Sequence, residues 1–390
     1  MKIERVEILV VALPERREHP MANFVSRQGH YVLIRVFSDG VMGLGEATVL
    51  KEWGGDHGRY YGESPETTAL LLERYLAPAI IGEDPRQLER LLQKLDHVVK
   101  GYPYAKAAID IAVHDLVARS LDVPVYQLLG GAYRTRIPMA HSLGILEEKR
   151  LLDEVATAVS EGCRTIKLKA GIDPARDVQT VADVRRLVGD AVDITVDANQ
   201  GWQQPKIAIQ AIRRMEPYRV LFVEQPVEGL EAMARVAGAV DTPIMADESA
   251  WTAVDVLEIA RLGAAEVISI YTTKPGGLHR ASKVAAVAEA AGFTANVNGS
   301  AETGVGNAAN VHLSAAMKVV SQACVYPVSA PAESLPTKIV GRSYLDDIIT
   351  EPFGYEDGSI IVSDKPGLGV ELDPQKVAKY QQGETLVIKA

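Results

Sequence analysis

Residues 163–202, CRTIKLKAGIDPARDVQTVADVRRLVGDAVDITVDANQGW, decide how the chain folds. A short apolar run, CRTIKLKA, leads into the amphipathic stretch VQTVADVRRLVG, and a second apolar run, VDITVDA, follows. Each run closes on a polar residue, Lys169 in the first and Asp197 in the second. This is one strand-plus-helix module followed by the start of the next. Outward from it the rhythm recurs. From about Pro138 the apolar runs are MAHSLGI, CRTIKLKA, VDITVDA, VLFVEQP, TPIMADE, VISIYTT, GFTANVN and ACVYPVS. Amphipathic stretches such as LLDEVATAVSEG, AIQAIRRME and RASKVAAVAEAAG separate them, many ending in a glycine that suits a left-handed C-cap. Eight strand candidates with intervening helices predict an α/β barrel of the (β/α)8 type. A doubly wound open sheet would need a crevice fingerprint that the sequence lacks.

The flanks differ. MKIERVEILVVALP and YVLIRVFSDGVMGLGEA alternate as strands do, with Asp39 and Gly40 marking a hairpin. KEWGGDHGRYYG reads as a loop, and Ser64, Pro65 and Glu66 open a helix as N-cap, first-turn proline and first-turn acid. Further helical stretches run to the pair Gly130 and Gly131, an α+β pattern. After about Val340, PFGYEDGSIIVSDKPGLGVELD reads as strands and turns returning to the first part. The expected division is therefore 1–135, 136–340 and 341–390.

The 390 residues are 47% hydrophobic and 24% charged, enough for a large core. The net charge of −10 argues against a nucleic-acid or anionic-membrane partner, both of which need clustered lysine and arginine. Cys163 and Cys324 lie in no metal-spaced pair and read as reduced, buried thiols. No apolar run reaches the roughly 20 residues needed to span a bilayer. A cytoplasmic enzyme is the expectation.

Chemistry gathers at the strand ends. Lys167 and Lys169 close the second barrel strand, Asp197 the third, Glu224 the fourth, Asp247 the fifth and Tyr271 the sixth, with Asn296 and Asn298 near the end of the seventh and Glu302 just beyond. From Lys169 to Tyr271 the successive separations are 28, 27, 23 and 24 residues, one module each. Side chains at the C-terminal ends of neighbouring barrel strands converge on one mouth. Three carboxylates there would repel and be desolvated unless compensated, and oxygen ligands from separate strands suit Mg²⁺ or Mn²⁺. Lys167 and Lys169, two apart on a strand, point to one face. Two ammonium groups beside a dication would depress the outer lysine's pKa and poise it for proton transfer. GVGNAA, from Gly304, is only faintly like a dinucleotide loop and lies in the wrong context.

The chain resembles the enolase superfamily, and within it the muconate lactonizing enzyme subgroup. The motifs that carry the resemblance span nearly the whole chain: FSDGVMGLGEA, LAPAIIGEDP, YAKAAIDIAVHDL, LLGG, KLKAG, VDANQGW, VEQP, MADES and KPGLGV. The resemblance implies a (β/α)7β barrel under an α+β N-terminal capping domain. It implies Asp197, Glu224 and Asp247 as ligands of Mg²⁺ or Mn²⁺, Lys169 as acid/base, Lys167 tuning it, and Glu302 near the substrate carboxylate. The subgroup usually ends strand six with a second lysine; here that position is Tyr271, with Lys274 three residues on in the KPGG turn. Asn199, Glu248, Lys274, Asn298 and His141, with Trp53 and Tyr60 of the cap loops, are the further candidates for substrate contact. The expected reaction converts a small carboxylate through a metal-bound enolate, with muconate-type cycloisomerisation preferred. Syn-dehydration and epimerisation of an amino-acid derivative are the enzymatic alternatives, and a non-catalytic binding protein on the same scaffold is the alternative of another class. Assembly as a homo-oligomer, an octamer among the options, is also expected.

Overall fold

The computed structural model describes residues 1–22, 25–49 and 63–389. Alternating apolar and polar residues make the N-terminal runs into an antiparallel meander of β1 (Arg5–Pro20), β2 (Val25–Ser38) and β3 (Val41–Thr48). Asp39 and Gly40 turn β2 into β3 with φ of 49° and 77°, the twist that two-residue hairpins favour. The C-terminal strand Gln381–Lys389 pairs antiparallel with β1, beginning at Arg5 opposite Lys389. Helices cover this sheet. Ser64 caps the first, its hydroxyl accepting from Thr67 N at 3.2 Å. The helix Pro103–Ser120 is rich in alanine and buried along most of its length. It lies so close to β3 that a Cβ at Gly43 would sit 2.1 Å from the Ala112 carbonyl oxygen, and one at Gly45 2.0 Å from that of Ala108. Only glycine lets the helix approach this strand.

A short strand, β4 (Arg136–Pro138), precedes seven parallel strands. These are β5 (Ala140–Leu143), β6 (Thr165–Lys169), β7 (Asp193–Asp197), β8 (Val220–Glu224), β9 (Ile244–Ala246), β10 (Val267–Ile270) and β11 (Thr294–Val297), hydrogen-bonded in sequence order. They are barrel strands one to seven, and each leads into a helix. The eighth apolar run, ACVYPVS, closes the ring through single bridges only. Cys324 N donates to Pro138 O at 2.8 Å and Ala140 N to Cys324 O at 2.8 Å. On the other flank Val325 N donates to Val297 O at 3.1 Å and Gly299 N to Val325 O at 2.7 Å. Pro327, two residues on, has no amide to extend the ladder. The result is a (β/α)7β barrel. Beyond it, β12 (Gly354–Glu356) and β13 (Ser359–Ile361) form a hairpin on β4, and β14 is the C-terminal strand already placed on β1, so the last fifty residues touch both bodies. One apolar cluster fills the barrel and its helices, and a second lies between the cap sheet and its helices. No helix among the described residues is long and apolar enough to cross a membrane.

The close approach of β3 to its helix is testable. Gly45→Ala should destabilise the protein by about 1–3 kcal/mol or more, as overpacking does, read as a lower midpoint in denaturant. An unchanged midpoint would show that the helix can shift freely.

Candidate active site

Strand alternation points Lys167 and Lys169 of β6 to the same side. Lys167 Nζ lies 2.7 Å from Glu224 Oε2 and 2.9 Å from Asp197 Oδ2. Lys169 Nζ donates to Asp197 Oδ2 and to Asn199 Oδ1, each at 2.7 Å. Lys274 has left its strand, as its position in the turn predicts, yet its buried ammonium returns to the cluster. It donates to Asp247 Oδ1 and to the Asp247 carbonyl, each at 2.8 Å, and to Ser269 O at 2.9 Å. Ser269 Oγ donates to Asp247 Oδ1 at 2.8 Å, and Asn298 Nδ2 reaches Ser269 Oγ at 2.8 Å and Glu224 Oε1 at 3.3 Å. Asn199 Nδ2 in turn donates to Glu248 Oε1 at 3.1 Å. Asp197, Glu224, Asp247 and Asn298 are all buried.

These groups set one another's charge. Burial works against an ionised Asp197, but Lys167 and Lys169 outweigh it and hold that carboxyl below the usual range. Glu224 shares one ammonium and faces two other acids; burial first, then Asp197, push it up to about 8. The two carboxylates on Lys167 therefore move in opposite directions, and the contacts favour Asp197 as the one that keeps its charge. Burial alone would lower Lys167, but Asp197, Glu224 and Asp247 raise it well above an ordinary lysine. At Lys167, attraction to carboxylates exceeds the cost of burial.

The donor set fits a hard divalent cation. It offers carboxylate oxygens from the ends of three adjacent strands, and next to them Glu248 Oε2 is buried with no hydrogen-bond partner. Burial and then Asp247 push the Glu248 carboxyl up to about 8. Such crowding of acids is what Mg²⁺ or Mn²⁺ would neutralise. As the side chains stand, Lys167 and Lys274 serve that purpose, and among the described residues no three carboxylate, histidine or cysteine groups already form a ligand cluster.

Lys167 and Lys169 also line a cavity of about 170 Å³ between the barrel mouth and the cap, with Tyr271, Asn298 and His141 on the same wall. His141 Nε2 is 2.9 Å from Glu154 Oε1, which also accepts from Arg16 of β1 at 3.0 Å. Tyr271 carries the Lys274 ammonium 4.4 Å from its ring centroid. Burial, then the acids led by Asp247, raise its phenol well above 10. Asp197, Glu224, Asp247, Asn199, Glu248 and Lys274 do not line the cavity; they form the layer that holds the lysines. Both oxygens of Glu302 accept from Ser300 N, at 3.0 and 2.9 Å, so the carboxylate does not line the cavity. The turn at Ala301, with φ of 62°, folds the carboxylate back and leaves residues 299–301 on the cavity wall. Trp53 and Tyr60 lie outside the described residues.

Other residues of the site escape a reading of strand ends. Ser269 stands two before Tyr271 and so shares its face, a signal that strand alternation could have given. Gln225, with φ of 38°, accepts from Asp247 N at 3.0 Å and Ser249 N at 3.2 Å and so joins strands four and five. Glu46 of β3 accepts from Thr303 N at 3.1 Å, Thr303 Oγ1 at 2.5 Å and Gly306 N at 2.9 Å, while Asp347 accepts from Gly304 N at 3.1 Å. The helix start that faintly resembled a dinucleotide loop is thus already filled by carboxylates.

Burial, opposed by Thr303 and aided by Glu302, pushes the Glu46 carboxyl to about 8; burial pushes Glu302 to about 7. Both stand above the unfolded value of 4.5, so folding takes up protons. Their stabilising contribution is full below about pH 4.5 and is lost as pH rises through 7 and 8. With metal chelated, the denaturant midpoint should be lower at pH 9 than at pH 6, and Glu46→Gln should flatten that difference. An equal slope in both proteins would contradict the assignment.

Comparison with known proteins agrees with this geometry. Residues 5–130 match the family described as mandelate racemase / muconate lactonizing enzyme, N-terminal domain, and residues 150–376 match the enolase C-terminal domain-like family. N-succinyl-L-Arg/Lys racemase of Bacillus cereus is 32% identical over 381 residues, covering 96% of each chain. Muconate cycloisomerase 1 of Rhodococcus opacus is 34% identical over 387 residues, covering 97% of this chain and 98% of that one. The crystal structure of muconate lactonizing enzyme from Pseudomonas fluorescens complexed with muconolactone superposes with a TM-score of 0.89 at 31% identity, over 98% and 99% of the two chains. With both halves matched and the barrel mouth built as described, the chain belongs to the mandelate racemase / muconate lactonizing enzyme family of the enolase superfamily.

Proposed function

We propose that this protein forms an enolate from a small carboxylate and moves one proton at the α-carbon, on one face, through Lys169. The observation that carries this reading is the asymmetry of the cavity wall: Lys169 faces it from strand two, while the end of strand six presents the phenol of Tyr271 in place of a second lysine. Lys167 is held by two carboxylates and tunes the site, whereas Lys169 shares one carboxylate and an amide oxygen. Asp197, Glu224 and Asp247 would hold Mg²⁺ or Mn²⁺. Such an ion stabilises ene-diolate charge, as enolase-superfamily sites do with a lysine or histidine base.

The concrete reaction we favour is muconate-type cycloisomerisation. One carboxylate oxygen of the substrate closes onto the diene, and Lys169 gives its proton to the resulting enolate carbon. Syn-dehydration is the second reading, since it also uses one face: Lys169 removes the α-proton and returns it to the leaving hydroxyl. Racemisation needs a proton donor on the opposite face as well, and a buried phenol raised above its usual pKa is a poor one.

Conversion of cis,cis-muconate in D₂O should place deuterium on a single face of the product. Lys169→Ala should lose at least the roughly 10²-fold typical of a general acid/base, while Tyr271→Phe keeps most activity. Label on both faces, or a Tyr271→Phe variant as inactive as Lys169→Ala, would make Tyr271 the opposing base. Separately, excess chelator should abolish turnover and added Mg²⁺ restore it; full activity in chelator would refute the metal assignment.

A further inference from the structure

The segment 338–343 forms a preset turn. Glu161, just past the helix Glu148–Ser160, accepts three successive amides, from Lys338 at 2.5 Å, Ile339 at 3.1 Å and Val340 at 2.9 Å. Gly341 then reverses the chain with φ of 63°, where a Cβ would lie 2.5 Å from Val328 Cγ2 and 2.8 Å from Val328 N. Beyond it, Arg16 N of the cap donates to Ser343 O at 2.9 Å and Leu345 N to Pro14 O at 3.0 Å. Barrel on one side and cap on the other thus fix Arg342 on the wall of the cavity that Lys167 and Lys169 line.

Burial works against the charge of this guanidinium, and Glu161, which acts on it only at longer range, opposes that in part. No carboxylate of the described residues lies within ion-pair distance of it, and its Nε is buried without a partner. Its one hydrogen bond is long, from Nη1 to Lys338 O at 3.4 Å. The other cations on the wall whose contacts are known are compensated: Lys167 and Lys169 by Asp197 and Glu224, and Arg16 by Glu154. Glu15 also lines the cavity. A partly buried cation left without an anion is costly, and a guanidinium fork matches a carboxylate in shape.

We propose that Arg342 reads a second carboxylate, at the end of the substrate remote from the reacting carbon. This rests on the enolate reading for the end at Lys169, and it makes Arg342 the specificity-determining residue for the remote carboxylate. A lone guanidinium suits a single negative charge better than a phosphate dianion.

The test compares two probes of equal carbon skeleton and double-bond geometry, trans,trans-muconate and the monocarboxylate sorbate, by calorimetric titration in Mg²⁺ buffer, with the absorbance of each probe followed to show that it is not turned over. Wild type should bind muconate about ten- to hundredfold more tightly, the range expected for a charge-assisted pair. Arg342→Gln should lose most of that preference with sorbate affinity kept, and Arg342→Lys should retain part of it. Far-ultraviolet circular dichroism of each variant reports its folding. A preference unchanged in Arg342→Gln, or no preference in wild type, would overturn the proposal. Lys169→Ala should keep the preference while losing proton transfer. A wild type that prefers muconate yet exchanges no α-proton would thus refute the enolate reading and leave the assignment of Arg342 standing.

Discussion

The structure turns on the balance between buried acids and buried ammonium groups at the barrel mouth. Asp197, Glu224 and Asp247 are taken out of water at the ends of three neighbouring strands, a placement that would be untenable without opposite charge. Lys167 and Lys169 supply it from strand two and Lys274 from the turn after strand six. The ammonium groups thereby do two things at once. They compensate the buried acids, and they fix the orientation of the carboxylates. Two of them, Lys167 and Lys169, also line the cavity.

That balance depends on the cap as more than a lid. Asp110 of the cap helix accepts from Leu278 N at 2.5 Å, and Gly277 is the only kind of residue that fits there, since a Cβ would lie 2.2 Å from the Asp110 side chain. Asp110 thus caps the barrel helix that follows the turn bearing Tyr271 and Lys274. Glu46 does the same for the helix after strand seven, beyond Asn298 and residues 299–301. Anionic side chains at helix N-termini satisfy free amides and the helix dipole together. The cap therefore fixes two of the loops that shape the cavity.

What was legible in the sequence follows the range of the interactions concerned. The strand-and-helix rhythm is local, so the barrel could be read from apolar runs, and the two-residue spacing of Lys167 and Lys169 sufficed to put them on one face. The eighth run was readable as a strand candidate but not as a pair of bridges, because Pro327 limits the ladder. The path of Glu302 is not legible in the sequence, because it follows a turn through one left-handed residue, Ala301. Glu46, Asp110 and Arg342 were missed for a different reason. Glu46 and Asp110 find their partners far along the chain, Arg342 is placed by a turn held between barrel and cap, and no periodicity encodes either. The return of Lys274 to Asp247 likewise depends on a turn whose path only the folded chain defines.

We propose the three strand-end carboxylates, compensated by lysines, as the ligands of a divalent metal. Calorimetric titration of Mg²⁺ into the substrate-free protein tests this proposal most directly. The account predicts saturation at about one ion per chain, weakened by about tenfold or more in each of Asp197→Asn, Glu224→Gln and Asp247→Asn. Binding that survives undiminished in all three variants would contradict it.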